Sequence, residues 1–139
     1  DIFVLNTHYN HEQDNHRSRM KSSKLIVEQA LHLEDSLPQI VMGDFNARPN
    51  SDAYRIFIEN GYEDTFTLAG CDDESHTVHA YQGNTFPHQD ARIDWMLLSD
   101  KDKQFFADSF DIIRDHEHPI YPSDHYPILT EFEWTTTHA

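Results

Sequence analysis

The stretch Ile40-Val41-Met42-Gly43-Asp44-Phe45-Asn46 decides how the rest of the chain is read. Ile40 to Met42 make a compact strand that enters Gly43, and Asp44 and Asn46 follow at its end, where a rigid strand can hold polar groups toward a ligand. Upstream, Pro38 stops a helical pattern running from about Asn15 to Leu37, with Ile26, Ala30, Leu33 and Leu37 on one stripe and Met20, Val27 and Leu31 beside it. Asp14 or Asn15 is placed to cap its start. Earlier still, Ile2-Phe3-Val4-Leu5 leads into Asn6-Thr7-His8, as a buried strand does when it emerges at a polar edge. Downstream, Asn50 or Ser51 opens a second helix that ends near Gly61.

After Gly61 the pattern turns to strands and loops, with candidate strands at Tyr62 to Phe66, Thr77 to Tyr81, Ile93 to Leu98, Phe110 to Arg114 and Ile128 to Trp134. Helices first and strands afterwards predict an α+β layered domain. The acidic stretch Cys71-Asp72-Asp73-Glu74 reads as a surface loop, and the segment from Gly70 to His76 is a place for specificity. No internal repeat or interdomain linker is visible. The 139 residues are 37% apolar, with nine Phe and six Tyr, which is enough to bury a core and excludes a disordered chain.

No run of about 18 apolar residues occurs, so no transmembrane segment is expected. Cys71 stands alone and cannot form an internal disulfide, which favours a reducing compartment such as the cytoplasm. Ten Lys and Arg against 25 Asp and Glu give a net charge of -15, which opposes nonspecific attraction to nucleic acid or to an anionic membrane. A polyanion would need a confined basic patch or bound divalent cations. Arg17, Arg19, Lys21 and Lys24 form a basic cluster near the His8 strand end, and its simplest reading is a solvated helix face.

Four short motifs stand at the ends of predicted strands: Asn6-Thr7-His8, Gly43-Asp44-Phe45-Asn46, Arg92-Ile93-Asp94-Trp95 and Ser123-Asp124-His125. Singly they carry little weight. An Asp after a Gly is more often a turn residue, and one His among eleven is more often a surface or structural group. Their order is what matters, and in this order they resemble the C-terminal half of the endonuclease/exonuclease/phosphatase superfamily. That superfamily includes deoxyribonuclease-I-like enzymes, abasic-site endonucleases, deadenylases, sphingomyelinases and inositol-phosphate phosphatases. Pro49, Ser51 and the stretch Thr77-Val78-His79-Ala80-Tyr81-Gln82-Gly83 add to the similarity.

The resemblance implies the C-terminal half of a four-layer α/β/β/α sandwich, with a mixed, mostly antiparallel sheet and helices on one face. Residues 1–139 would then be a single partial domain lacking its N-terminal half. The implied activity is metal-dependent hydrolysis of a phosphoester, most naturally a phosphodiester in a nucleic acid, a phospholipid head group or a small molecule. Asp44 would orient or deprotonate the attacking water, and Asn46 would hydrogen-bond the water or the phosphate. His8 and His125 would donate to phosphate oxygens, and Asp94 would orient His125 and raise its pKa. Asp124, with Asp44, would hold Mg²⁺ or Mn²⁺. His79 and Arg19 are candidates for supporting the site or the substrate.

Two departures qualify the resemblance. Relatives often carry an acid where this chain has Asn10, in Thr7-His8-Tyr9-Asn10. The Glu that anchors the principal metal belongs to the half preceding Asp1, so these residues alone are expected to be inactive. They are also expected to expose the inner face of a sheet that seeks the missing half or self-associates. The alternative from another class is a noncatalytic binding or scaffold module that keeps the fold. A metal site made of His8, His11 and His16 is disfavoured, because a helix starting there disperses the rings.

Overall fold

The computed structural model describes residues 1–33, 36–72 and 75–135. The elements in chain order are β1 (Phe3–His8), α1 (His16–Ala30), β2 (Gln39–Asp44), α2 (Asp52–Glu59), β3 (Glu63–Asp64), α3 (Thr65–Leu68), β4 (Asp94–Ser99), β5 (Phe105–Ile112) and β6 (Ile128–Trp134). Four strands form one sheet in the order β1-β2-β4-β3, and β5 pairs with β6 in a separate ribbon. β1 and β2 run parallel, whereas the β2–β4, β3–β4 and β5–β6 pairs are antiparallel. The architecture is thus a mixed α/β fold with a mostly antiparallel mixed sheet, as the motif order implied. Among the described residues no helix is long and apolar enough to cross a membrane.

Strand alternation divides the sheet into two unlike faces. Val41, Trp95 and Leu97 are buried together with Val27 of α1 and with Ala53, Tyr54 and Phe57 of α2, and Leu5 packs against them. Phe45 lies flat on Trp95, with centroids 4.3 Å apart, and meets Tyr9 and Phe57 edge-on. Each such ring contributes about 1.5–3 kcal/mol by leaving water. On the opposite face Val4 is 49% exposed, and Met42 and Met96 are half-buried. α1 and α2 therefore cover the face of Val41, Trp95 and Leu97, whereas the opposite face is open at Val4 but closed at Ile40 and Leu98, which are 8% and 4% exposed.

Gly43 is demanded by the parallel pairing of β1 with β2. Its φ is +146°, and a Cβ there would overlap the backbone carbonyl of Thr7 on the neighbouring strand. The helix caps follow the sequence: Asn15 accepts the amide of Ser18, and Ser51 accepts that of Tyr54.

Other expectations need correction. α1 stops at Ala30, not at Leu37, and Leu31 is 71% exposed; Glu34 and Asp35 of the expected helix lie outside the described residues. Its buried stripe is Arg19, Ser23, Val27 and Ala30, so two polar residues face inward where an apolar pattern pointed elsewhere. Arg19 is not a solvated residue. It is 3% exposed and donates to the carbonyls of Asn10, Glu12 and Gln13, while Ser23 meets the Tyr9 hydroxyl at 3.0 Å.

The Tyr62 to Phe66 strand shrinks to Glu63–Asp64, because the Asp64 carboxylate accepts the Phe66 amide and caps α3. Thr77 to Tyr81 is no strand: Val78 makes one bridge to His125, and Ala80 and Tyr81 then turn through φ of 47° and 61°. β5 starts five residues earlier than expected, at Phe105, and ends at Ile112. Of the acidic loop, Asp73 and Glu74 lie outside the described residues.

One buried ion pair ties the short elements to the sheet. Arg92, 6% exposed, donates to Asp64 at 2.8 Å and 3.4 Å and lies over the Phe66 ring at 4.1 Å. Tyr54 also donates its hydroxyl to Asp64, at 3.0 Å. The Arg92 of the third motif is therefore a structural brace.

Candidate active site

Strand register builds the site. His8 of β1 is the partner of Asp44 on β2, and Asp44 is the partner of Asp94 on β4, so the three side chains form a transverse row across adjacent strands. His125 joins the row from the loop before β6, with Nδ1 2.9 Å from Asp94 Oδ2 and Nε2 3.9 Å from Asp44 Oδ2. His8 Nε2 lies 3.4 Å from the same Asp44 oxygen, and the His8 ring is mostly exposed. Asp44 Oδ1 accepts the Asn46 amide at 2.9 Å. Asn46 donates Nδ2 to the Tyr9 carbonyl at 2.9 Å, and its backbone is left-handed at φ 47°. One cleft is lined by His8, Asp44, Asn46, Asp94, Asp124 and His125, together with Asn6, Thr7 and His11.

The electrostatics follow from that crowding. The hydrogen bond to Asp94 raises the pKa of His125 and outweighs burial, which acts in the opposite direction. Burial raises that of Asp44; the Asn46 amide opposes the rise, and the charge of Asp94 adds to it. Asp44, Asp94 and His125 offer ligand atoms within 4.8 Å of one another, the one possible metal-binding group among the described residues. Two carboxylates with raised mutual repulsion suit a hard divalent cation.

All five residues expected to be catalytic therefore converge: His8, Asp44, Asn46, Asp94 and His125. Asp124 lines the same cleft with an exposed carboxylate, but it lies outside the 4.8 Å group. His79 does not border that cleft. It is 1% exposed and stacked on Tyr126 at 4.1 Å, and burial lowers its pKa. Its backbone matters more than its ring, since the amides of His79 and Ala80 both donate to the Asp124 carbonyl, at 2.8 Å and 3.1 Å. Arg19 sits under the loop that follows β1 and reaches the site only through that loop.

Two residues of the site had no role assigned from sequence. The fully buried Thr77 accepts the amides of Ile93 and Asp94 on its hydroxyl oxygen, at 3.0 Å and 3.1 Å, and the amide of Tyr126 on its carbonyl, at 2.7 Å. One residue thereby positions both halves of the Asp94–His125 pair. Asn6 borders the cleft on the face away from the helices, in the company of Met42, Met96, Tyr126, Pro127 and Ile128. Its place in the first motif, two residues before His8, was the available signal.

No curated protein sequence matches the chain significantly. Among solved structures, a mannosyl-6-phosphatase of Bacteroides thetaiotaomicron is 25% identical, with a TM-score of 0.76 over 94% of this chain and 51% of its own. An endonuclease/exonuclease/phosphatase of Bacteroides vulgatus is 26% identical, with a TM-score of 0.74 over 92% of this chain and 48% of its own. D. rerio TDP2, solved with a single-stranded DNA product, has a TM-score of 0.73 at 17% identity, over 95% of this chain and 56% of its own, and so shares the fold. The chain thus spans about half the length of the solved structures it resembles. Residues 3–125 match the profile of the endonuclease/exonuclease/phosphatase family, a span that opens on β1 and ends on His125, and the chain belongs to that family.

Proposed function

We propose that this chain supplies the water-activating and phosphate-binding side of a divalent-metal-dependent phosphoesterase acting on a phosphodiester. The observation that carries the reading is the row His8, Asp44 and Asp94 with His125 clasped to Asp94 at 2.9 Å. Asp44 and Asp94, with Asp124 on the rim, would hold Mg²⁺ or Mn²⁺, which when bound supplies positive charge for the phosphate oxygens. His125, its Nδ1 proton fixed by Asp94, keeps Nε2–H as a donor for a nonbridging oxygen, and its raised pKa favours the cationic ring. Asp44 orients a water and takes its proton. Asn46, with one amide hydrogen committed to Tyr9, has its second hydrogen and its oxygen left for the water or the phosphate.

The test is hydrolysis of bis(p-nitrophenyl) phosphate by the full-length protein with Mg²⁺ or Mn²⁺. Asp44→Ala and His125→Ala are each expected to lower the rate by about 10²-fold or more. Rates that either substitution leaves unchanged overturn the assignment.

The open face of the sheet suggests how the site is completed. Ile2 and Val4 are 41% and 49% exposed there, and an apolar cleft lined by Met42, Met96 and Ile128 runs from this face to Asp44 and His125. Since the matched structures are about twice as long, we infer that the other half of a family domain covers this face and adds ligands for the cation. Mixing residues 1–139 with the separately expressed remainder is expected to restore activity that neither has alone. Self-association of residues 1–139 that persists in the mixture, with no activity gained, would overturn that inference.

A further inference from the structure

Beside the catalytic cleft lies a second one of about 540 Å³, lined by His11, His16, Arg19, Arg48 and His88 among others, and the two clefts share His11 and Asn46 as a common border. None of its lining residues is acidic, in a chain with 25 Asp and Glu. Its charged lining residues are Arg19 and Arg48, with three histidines beside them.

The chemistry of the wall is specific. Arg19 is buried with three backbone carbonyls and His16 Nδ1 as its partners, and no carboxylate meets it among the described residues. Carbonyl dipoles solvate the guanidinium without cancelling its charge, so its field extends into the cleft. A guanidinium can only donate, so His16 Nδ1, 2.9 Å from Arg19, must accept, which places the imidazole proton on Nε2 as a fixed donor. Arg48 meets Asp90 at 3.2 Å, but both side chains are about half exposed, and such a pair holds its guanidinium weakly. Arg48 can therefore turn a planar fork of N–H groups to an oxyanion.

We propose that this cleft is an anion subsite that receives a second phosphate of the substrate, one linkage away from the phosphate held over Asp44 and His125. The inference rests on the phosphoesterase reading for its role in catalysis, but not for the binding of an anion. A basic pocket of this size fits a phosphate carried by a small polyphosphorylated molecule and, equally, the next phosphate of a polynucleotide. The shared chemistry is a phosphate adjacent to the scissile one.

Two measurements on the full-length protein test it. In the first, inorganic phosphate is titrated without metal while the histidine ring resonances are followed. Shifts of His11, His16 and His88 that weaken about tenfold in affinity in Arg48→Ala are expected. Shifts confined to His8 and His125, or equal affinity in Arg48→Ala, overturn the subsite whether or not the protein is a phosphoesterase. In the second, kcat/KM is compared for the p-nitrophenyl ester of thymidine 5′-phosphate with and without a 3′-phosphate. The 3′-phosphate is expected to raise kcat/KM about tenfold, and the ratio to fall toward one in Arg48→Ala and only partly in Arg48→Lys. A ratio near one in the unaltered protein overturns the proposal. An Arg48-dependent preference for short oligothymidylate over the bisphosphate assigns the second phosphate to a polynucleotide, and the reverse order assigns it to a small molecule.

Discussion

Replacing Asp94 with Asn alters the side-chain pair Asp94–His125 of the site while keeping its volume. The carboxylate accepts His125 Nδ1 at 2.9 Å and faces Asp44 across the strand pair. An amide either accepts the same proton more weakly or donates to Nδ1, which holds the ring in the neutral Nε2–H tautomer and removes the positive charge offered to the phosphate. A hydrogen bond to a charged group in a partly buried site contributes about 1.5–3 kcal/mol. If the whole of it serves the transition state, kcat/KM falls about 10-fold to 100-fold. The pH profile must move as well. Asp94 raises the pKa of His125, so activity that needs the protonated ring is present below that pKa and lost as pH rises through it. Removing the negative neighbour lowers the pKa and shifts the basic limb to lower pH. The assay is initial rates of bis(p-nitrophenyl) phosphate hydrolysis by the full-length protein across the neutral range, at saturating Mg²⁺. An Asp94→Asn enzyme within about twofold of the original rate, with its basic limb in place, refutes the reasoning.

Arg92→Met keeps the apolar stem over Phe66 but strands the buried Asp64 carboxylate, and a loss of about 3–5 kcal/mol in urea unfolding is expected, most of it recovered when Asp64→Asn is added. A double variant that loses the sum of the two single effects contradicts this account. Thr77→Val removes the acceptor of the Ile93 and Asp94 amides at a cost of about 1–3 kcal/mol for each amide left unpaired, and Thr77→Ser is expected to restore both stability and rate. Burial lowers the pKa of His76 and His79, so their contribution to stability is complete above about pH 6.5 and is lost as pH falls below it. His125, with its raised pKa, acts in the opposite sense above that pH, so the test is the difference between the unaltered protein and His79→Phe. An acid-induced loss of equal size in both would count against burial as the cause.

The strands that carry the row were legible because they are short apolar runs with polar ends: Ile40 to Met42 before Asp44, and Trp95 to Leu98 after Asp94. Period and composition were enough there. Arg19 misled, because a buried arginine satisfied by loop carbonyls looks identical in sequence to a solvated one, and the inward stripe of α1 was displaced accordingly. Thr77 to Tyr81 has strand composition, yet its hydrogen bonds go to Asp124 and Tyr126 across a long sequence gap, and Ala80 and Tyr81 turn left-handed to make them. Such pairings depend on tertiary contacts that no local pattern encodes. The Asp64–Arg92 pair was hidden for the same reason, being 28 residues apart.

Because the side-chain oxygen of Thr77 holds the Ile93 and Asp94 amides and its carbonyl holds the Tyr126 amide, the backbone segments that carry the acid and the imidazole cannot part without releasing that one residue. Separation of these segments is then a collective event, and the amides of Ile93, Asp94, His79, Ala80 and Tyr126 should exchange their hydrogens at a common rate. Their protection would report the readiness of the site in a protein given neither substrate nor metal.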